Sequence, residues 1–222
     1  MGSNDGEEDE EPVHTVYLDA YRIDKYEVTV ADYKKCVDVG TCDKPKDKDD
    51  YEYCNWGYGG RGNHPINCVD WDDAEEYCKY VDKRLPTEAE WERAASWKNG
   101  QRSKYPSETD SVSCADAVMS DGGDGCGKDR TWEVGSKLAE INGTFDMAGN
   151  VSEWVSDWYD ENYYKSDPSP KNNPKGPESG SKRVFRGGSW VGHAFNLRGA
   201  NRYHVDPSFG FDGLGFRCAL SP

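Results

Sequence analysis

The chain is short of positive charge, of long apolar runs and of the spaced motifs that mark common enzymes. Its 222 residues carry 27 Lys and Arg against 42 Asp and Glu, a formal net charge of −15. A surface of that sign repels phosphate, which argues against nucleic-acid binding. Only 35% of residues are hydrophobic, and the mean hydropathy is −0.99. No window approaches the roughly 18 unbroken apolar residues of a spanning helix, so no membrane insertion is expected. The eight cysteines form no Cys-x-x-Cys pair, which removes zinc ribbons and thioredoxin-type redox sites. There is no Gly-x-Ser-x-Gly elbow for a hydrolase. Met1-Gly2-Ser3 and the acidic run Asn4 to Glu11 contain neither a basic nor an apolar leader segment. Residues 1–11 therefore read as a tag remnant and a disordered acidic arm.

Aromatic residues are abundant, at 13% of the chain. Disordered chains are poor in them, so the low hydropathy belongs to a folded domain with an aromatic core. One domain over residues 12–222 suits the length. An even cysteine count in an acidic, Gly-rich chain predicts four disulfides in an oxidising compartment, hence an extracellular or cell-surface location.

Helix signals are few and local. Thr29 with Asp32, Asp70 ahead of Trp71, and Thr87 with Glu90 each mark a helix N-terminus. Trp71, Ala74, Tyr77, Cys78 and Val81 follow at the spacing of one buried helix face. Alternation at Val13, Thr15 and Tyr17 and at Tyr21 and Ile23 marks short strands. Residues 39–66 and 97–130 read as long loops, and after Gly143 come short aromatic stretches separated by turns. The sum is an α+β domain of high loop content, with short helices around small antiparallel sheets.

Several segments then match one family. They are His64-Pro65-Ile66-Asn67-Cys68-Val69-Asp70-Trp71, Lys83-Arg84-Leu85-Pro86-Thr87-Glu88-Ala89-Glu90-Trp91-Glu92, Asp146 through Trp154, Arg183-Val184-Phe185-Arg186-Gly187-Gly188-Ser189-Trp190, and Gly215-Phe216-Arg217-Cys218-Ala219. The chain resembles the formylglycine-generating-enzyme (sulfatase-modifying factor) family, which implies a variant of the C-type lectin fold. The family oxidase binds copper through two cysteines shortly after the Arg-Gly-Gly-Ser-Trp strand, since thiolates suit Cu(I). Here that stretch, Val191 to Arg198, has no cysteine, so no copper is expected. Related iron sulfoxide synthases need a histidine triad. His14, His64, His193 and His204 show no matching spacing. The resemblance also implies that Cys78 pairs with Cys218, closing a loop worth roughly 4–5 kcal/mol on the entropic account. For Cys36, Cys42, Cys54, Cys68, Cys114 and Cys126, pairing of nearest neighbours is one of many connectivities. The resemblance implies that Asp146 and Glu153 hold a structural calcium ion with carbonyls of the intervening loop, with Asn150 a further candidate; the alternative is that Asp146 and Glu153 simply hydrogen-bond turn amides.

The C-terminal segment has a second resemblance. Arg186-Gly187-Gly188-Ser189-Trp190, Asn196-Leu197-Arg198-Gly199-Ala200-Asn201-Arg202, Pro207 and Gly215-Phe216-Arg217 are similar to the variable region of diversity-generating-retroelement variable proteins, which bind ligands on the same fold. On this chain the variable region would span 189–216. The ligand-binding positions would be Val191, Gly192, His193, Phe195, Tyr203, His204, Val205, Asp206, Ser208, Phe209, Gly210, Phe211, Asp212 and Gly213. Aromatic anchors among small and polar residues have the composition of a paratope. The expected function is non-catalytic binding of a protein or cell-surface ligand. The alternatives are an inactive or divergent family member with a structural or regulatory role, and an oxidoreductase with metal ligands of another kind. Equally, Phe209 and Phe211 could be core side chains of a terminal hairpin.

Overall fold

A computed structural model of the chain describes residues 1–221 apart from 48, 99–100, 108–109, 141 and 167–170. Each of the three expected helix starts forms. Helix α1 (Val30–Asp38) begins where the Thr29 hydroxyl accepts from the Asp32 amide. Asp70 and Asp73 exchange side-chain and backbone bonds at the start of α2 (Trp71–Tyr80), and Thr87 and Glu90 do so at α3 (Glu88–Ser96). These bonds satisfy amides that would otherwise have no partner in the first turn.

The strands are β1 (Val16–Tyr17), β2 (Arg22–Ile23), β3 (Trp97–Lys98), β4 (Gln101–Arg102), β5 (Ser152–Trp158), β6 (Lys171–Asn172), β7 (Arg183–Arg186), β8 (Tyr203–Val205), β9 (Leu214–Gly215) and β10 (Ala219–Leu220). The central sheet has the order β8-β7-β5-β9. Strand β7 is antiparallel to β5 and β8, whereas β9 runs parallel to β5. The last strand, β10, pairs antiparallel with β2, Ala219 opposite Ile23.

Both faces of β5 are covered, which fits its near-continuous burial. Trp154 faces a cluster with Tyr33, Trp71, Tyr77, Leu214 and Phe216, and Val155 faces the opposite way toward Trp91, Met147 and Val184. Buried indole nitrogens reach backbone acceptors: Trp71 donates to the Val155 carbonyl at 2.8 Å and Trp154 to that of Val69 at 3.2 Å. An aromatic core of this kind needs such partners, because an unpaired buried N–H costs on the order of 1–3 kcal/mol.

The acidic segment 1–11 is packed against the domain, where composition suggested a disordered arm. Glu10 is fully buried, and both of its oxygens accept from Arg198. The Gly2 amide donates to Glu92, and the Tyr159 hydroxyl donates to Asp9. The physical reason is charge pairing. Buried arginines on the C-terminal segment require counter-ions, and part of this acidic run supplies them.

Candidate functional site

The C-terminal segment leaves the core through two glycines. Gly187 and Gly188 have φ of +96° and +68°, and a Cβ on Gly187 would lie 3.0 Å from the Met147 carbonyl and the Trp91 ring. Only glycine meets both demands. Trp190 follows, buried, its amide donating to the Asn150 carbonyl at 2.9 Å and its ring nitrogen to that of Asp212 at 3.1 Å.

Four buried arginines fix the segment and its flanks. Arg186 donates to Glu92 at 2.6 Å and to the Gly199 and Ala200 carbonyls. Arg198 holds Glu10 and donates to the Phe195 carbonyl at 3.0 Å. Arg202 binds Glu88 through two nitrogens, at 2.7 and 3.1 Å. Arg217 grips both oxygens of Glu153, at 2.7 and 2.6 Å. Asn196 accepts from the His193 amide, and Asn201 donates to the Asn196 carbonyl. The result is a backbone held by buried charge-assisted bonds, with other side chains free to face outward.

The fourteen expected ligand-binding positions divide by burial. Val191, His193, Phe195, Asp206, Ser208 and Phe209 are exposed, with Phe209 at 58%. Tyr203 and Phe211 are half-buried around Phe185, with ring centroids 5.2 and 5.7 Å from it. Val205 packs on the same cluster. Alternation along β8 sends His204 the other way, its ring 3.8 Å from that of Tyr159. Asp212 is half-buried, and desolvation raises its carboxyl above the usual range.

Three glycines of the set are scaffold positions rather than contact positions. Gly210 and Gly213 are buried. A Cβ on Gly210 would stand 2.7 Å from the Cys68 backbone, and one on Gly213 would stand 2.8 Å from the Ser189 hydroxyl. Gly192 is enclosed by Leu197 and Ser189 and accepts from the Ser120 amide. The correction comes from close backbone approach, which a spacing argument along one segment does not register.

The candidate calcium ligands have other partners. Asp146 accepts from the Gly135 amide at 2.6 Å, and Asn150 bridges the Trp132 amide and the Glu27 carboxylate. Glu153 is fully buried and accepts from Trp91 as well as Arg217. Among the described residues, no group of three or more His, Cys, Asp or Glu is arranged to hold a metal ion. With Glu153 committed to Arg217, this donor set does not fit calcium as the resemblance arranges it.

The eight cysteines pair as 36–42, 54–68, 78–218 and 114–126, leaving none free. Four disulfides belong to an oxidising, extracellular type of environment. Among the described residues, no helix is long and apolar enough to cross a membrane.

Fold and site together define a C-type-lectin-like domain: a small mixed sheet, an early strand paired with the last one, and a C-terminal segment pinned by buried arginines. The chain belongs to the sulfatase-modifying factor enzyme 1-like domain family, whose model matches residues 1–222. It is 30% identical over 271 residues to the formylglycine-generating enzyme of Mus musculus, covering 99% of this chain and 72% of that protein. It is 34% identical over 229 residues to the serine/threonine-protein kinase pkn1 of Chlamydia caviae. That alignment covers 98% of this chain, which spans only 36% of the kinase's length. Among solved structures, Treponema denticola variable protein 1 superposes with a TM-score of 0.80 at 28% identity, covering 100% of this chain and 91% of that one. PvdO from Pseudomonas aeruginosa gives the same TM-score at 24% identity, covering 100% and 90%, a likeness of fold. The family thus includes proteins named as enzymes as well as one named a variable protein.

Proposed function

We propose that this is a non-catalytic receptor domain whose C-terminal segment binds a protein or cell-surface ligand. One observation carries the reading: exposed Val191, His193, Phe195, Asp206, Ser208 and Phe209 stand on a backbone anchored by buried Arg198 and Arg202. Rigid support beneath adaptable contact residues lowers the entropy lost on binding. Likeness to a variable protein at 28% identity supports the same reading. The oxidase alternative lacks its thiolates, since Val191 to Arg198 contains no cysteine and all eight cysteines are in disulfides.

Sequencing the gene across related lineages tests the proposal. Substitutions should concentrate at the six exposed codons, while Gly210, Gly213, Arg198 and Arg202 stay fixed. The source genome should also hold a reverse transcriptase and a near-copy template of residues 189–216. Absence of both sinks the reading, taken from the likeness to variable proteins, that a diversity-generating retroelement varies these codons. Stoichiometric Cu(I) binding by the purified protein would instead restore an oxidoreductase reading.

A further inference from the structure

A loop from the middle of the chain grips the C-terminal segment beside Val191 and His193. The Cys114–Cys126 disulfide closes it. Ala117, Val118 and Met119 anchor its first half in the core, and the Asn150 amide donates to the Val118 carbonyl at 2.8 Å. Beyond Met119, the Ser120 amide donates to the Gly192 carbonyl at 2.8 Å, and the Gly125 amide to the Trp190 carbonyl at 2.7 Å. The His193 ring nitrogen Nδ1 lies 3.0 Å from the Ser120 carbonyl. Exposed Val191 therefore sits between two carbonyls that this loop holds, and exposed His193 leans on the loop directly.

The four disulfides differ in access. Cys36, Cys42, Cys54, Cys68, Cys78 and Cys218 are at most 5% exposed, whereas Cys114 and Cys126 are only partly buried. Thiol–disulfide exchange needs a sulfur within reach of the attacking thiolate, so burial protects the first three pairs and not the fourth. The loop is also built to open once released. Four of the six residues from Gly122 to Gly127 are glycine, the residue that loses most freedom when ordered. Cys126 has a φ of +56°, which its Cβ disfavours and the surrounding bonds impose.

We propose that Cys114–Cys126 is a redox modification site, reduced by a dithiol ahead of the other three disulfides, and that its opening frees residues 120–126 from the C-terminal segment. A thiolate of the dithiol attacks one sulfur, and the other cysteine leaves as a thiolate. The second thiol of the reductant then attacks the mixed disulfide and releases the remaining cysteine. The reductant departs as a cyclic disulfide; two electrons and its two thiol protons end on Cys114 and Cys126. Oxidised, the protein presents Val191 and His193 on a fixed backbone. Reduced, the same residues stand on a backbone that has lost one of its supports, so ligand is held less tightly. This consequence for binding rests on the receptor reading above, whereas the site and its chemistry do not.

The test treats the native, disulfide-intact protein with graded dithiothreitol, traps thiols with iodoacetamide and maps them by peptide mass spectrometry. Cys114 and Cys126 should be alkylated at dithiol concentrations that leave the other six cysteines in disulfides. Earlier reduction of another pair, or reduction of all four together, would overturn the site. Hydrogen exchange on the singly reduced, alkylated protein then reads the coupling. The Ser120 and Gly125 amides should exchange faster by about tenfold or more, while the Asn150 amide, bonded to the buried half of the loop, keeps its protection. The double variant Cys114→Ser with Cys126→Ser should reproduce that pattern without any reductant. Unchanged exchange at Ser120 and Gly125 in both samples would overturn the release of the loop. No ligand enters these measurements, so their failure leaves the receptor reading standing, and failure of that reading leaves them intact.

Discussion

Glu10 and Arg198 form a two-bond ion pair across 188 residues of sequence, at 2.8 and 2.7 Å, both side chains almost wholly buried. Arg198 also supports the Phe195 carbonyl and the Asn201 side chain, so the pair ties the N-terminal segment to the proposed binding surface. Removing one partner leaves a buried charge uncompensated. Glu10→Ala should therefore lower unfolding stability by about 3–5 kcal/mol, read by urea denaturation. Replacing both partners with apolar residues should restore part of that loss. A loss below about 1 kcal/mol from Glu10→Ala would match a solvated surface pair and refute the packed arrangement.

Aromatic residues of the C-terminal segment divide into displayed and structural ones. Phe209 is exposed, so Phe209→Ala should change stability by less than about 0.5 kcal/mol. Tyr203 and Phe211 pack on Phe185, and each truncation to Ala should cost about 1–3 kcal/mol, below the range for a fully buried ring. Thermal or urea unfolding of the three variants checks the split. Equal losses at all three would make Phe209 a core residue.

Disulfide loop lengths differ widely. Cys78–Cys218 spans 140 residues and Cys36–Cys42 spans 6. On the entropic account the first constrains the unfolded chain by ~5 kcal/mol and the second by ~2 kcal/mol. The double variant Cys78→Ala with Cys218→Ala should accordingly unfold at a lower urea concentration than Cys36→Ala with Cys42→Ala. The reverse order would show that native packing around these bonds outweighs loop entropy.

What could be read in the chain before its structure was local chemistry. Thr29, Asp70 and Thr87 announce helices because a cap needs only residues within one turn. Cys114 and Cys126, 12 apart, pair as neighbours in a loop-rich stretch. The arginine partners were not legible. Glu88, Glu92 and Glu153 lie between 64 and 114 residues from the arginines they hold, and no sequence period links them. For the same reason the acidic run at Glu8–Glu10 has the composition of a tail although Glu10 is a buried counter-ion. Burial of Gly210 against Cys68 is likewise a contact across the fold, invisible along the segment.

Asp73 gives the domain a pH signature away from the proposed site. It completes the cap of α2, accepting from the Asp70 amide at 3.2 Å. Desolvation, reinforced by the Asp70 charge, raises its carboxyl from 3.8 to about 6. The folded chain therefore holds this proton at pH values where the unfolded chain has released it. Stability from this group rises as pH falls from above 6 toward 4, and is lost as pH rises through about 6. Solvent screening of a partly exposed group limits the effect to roughly 1–2 kcal/mol. Asp73→Asn retains a cap acceptor without a titrating proton. The variant should gain on the parent above pH 6, and the gain should disappear near pH 4, in urea unfolding followed across that range. A difference between the two proteins that stays constant with pH would show that Asp73 titrates like a free carboxylate.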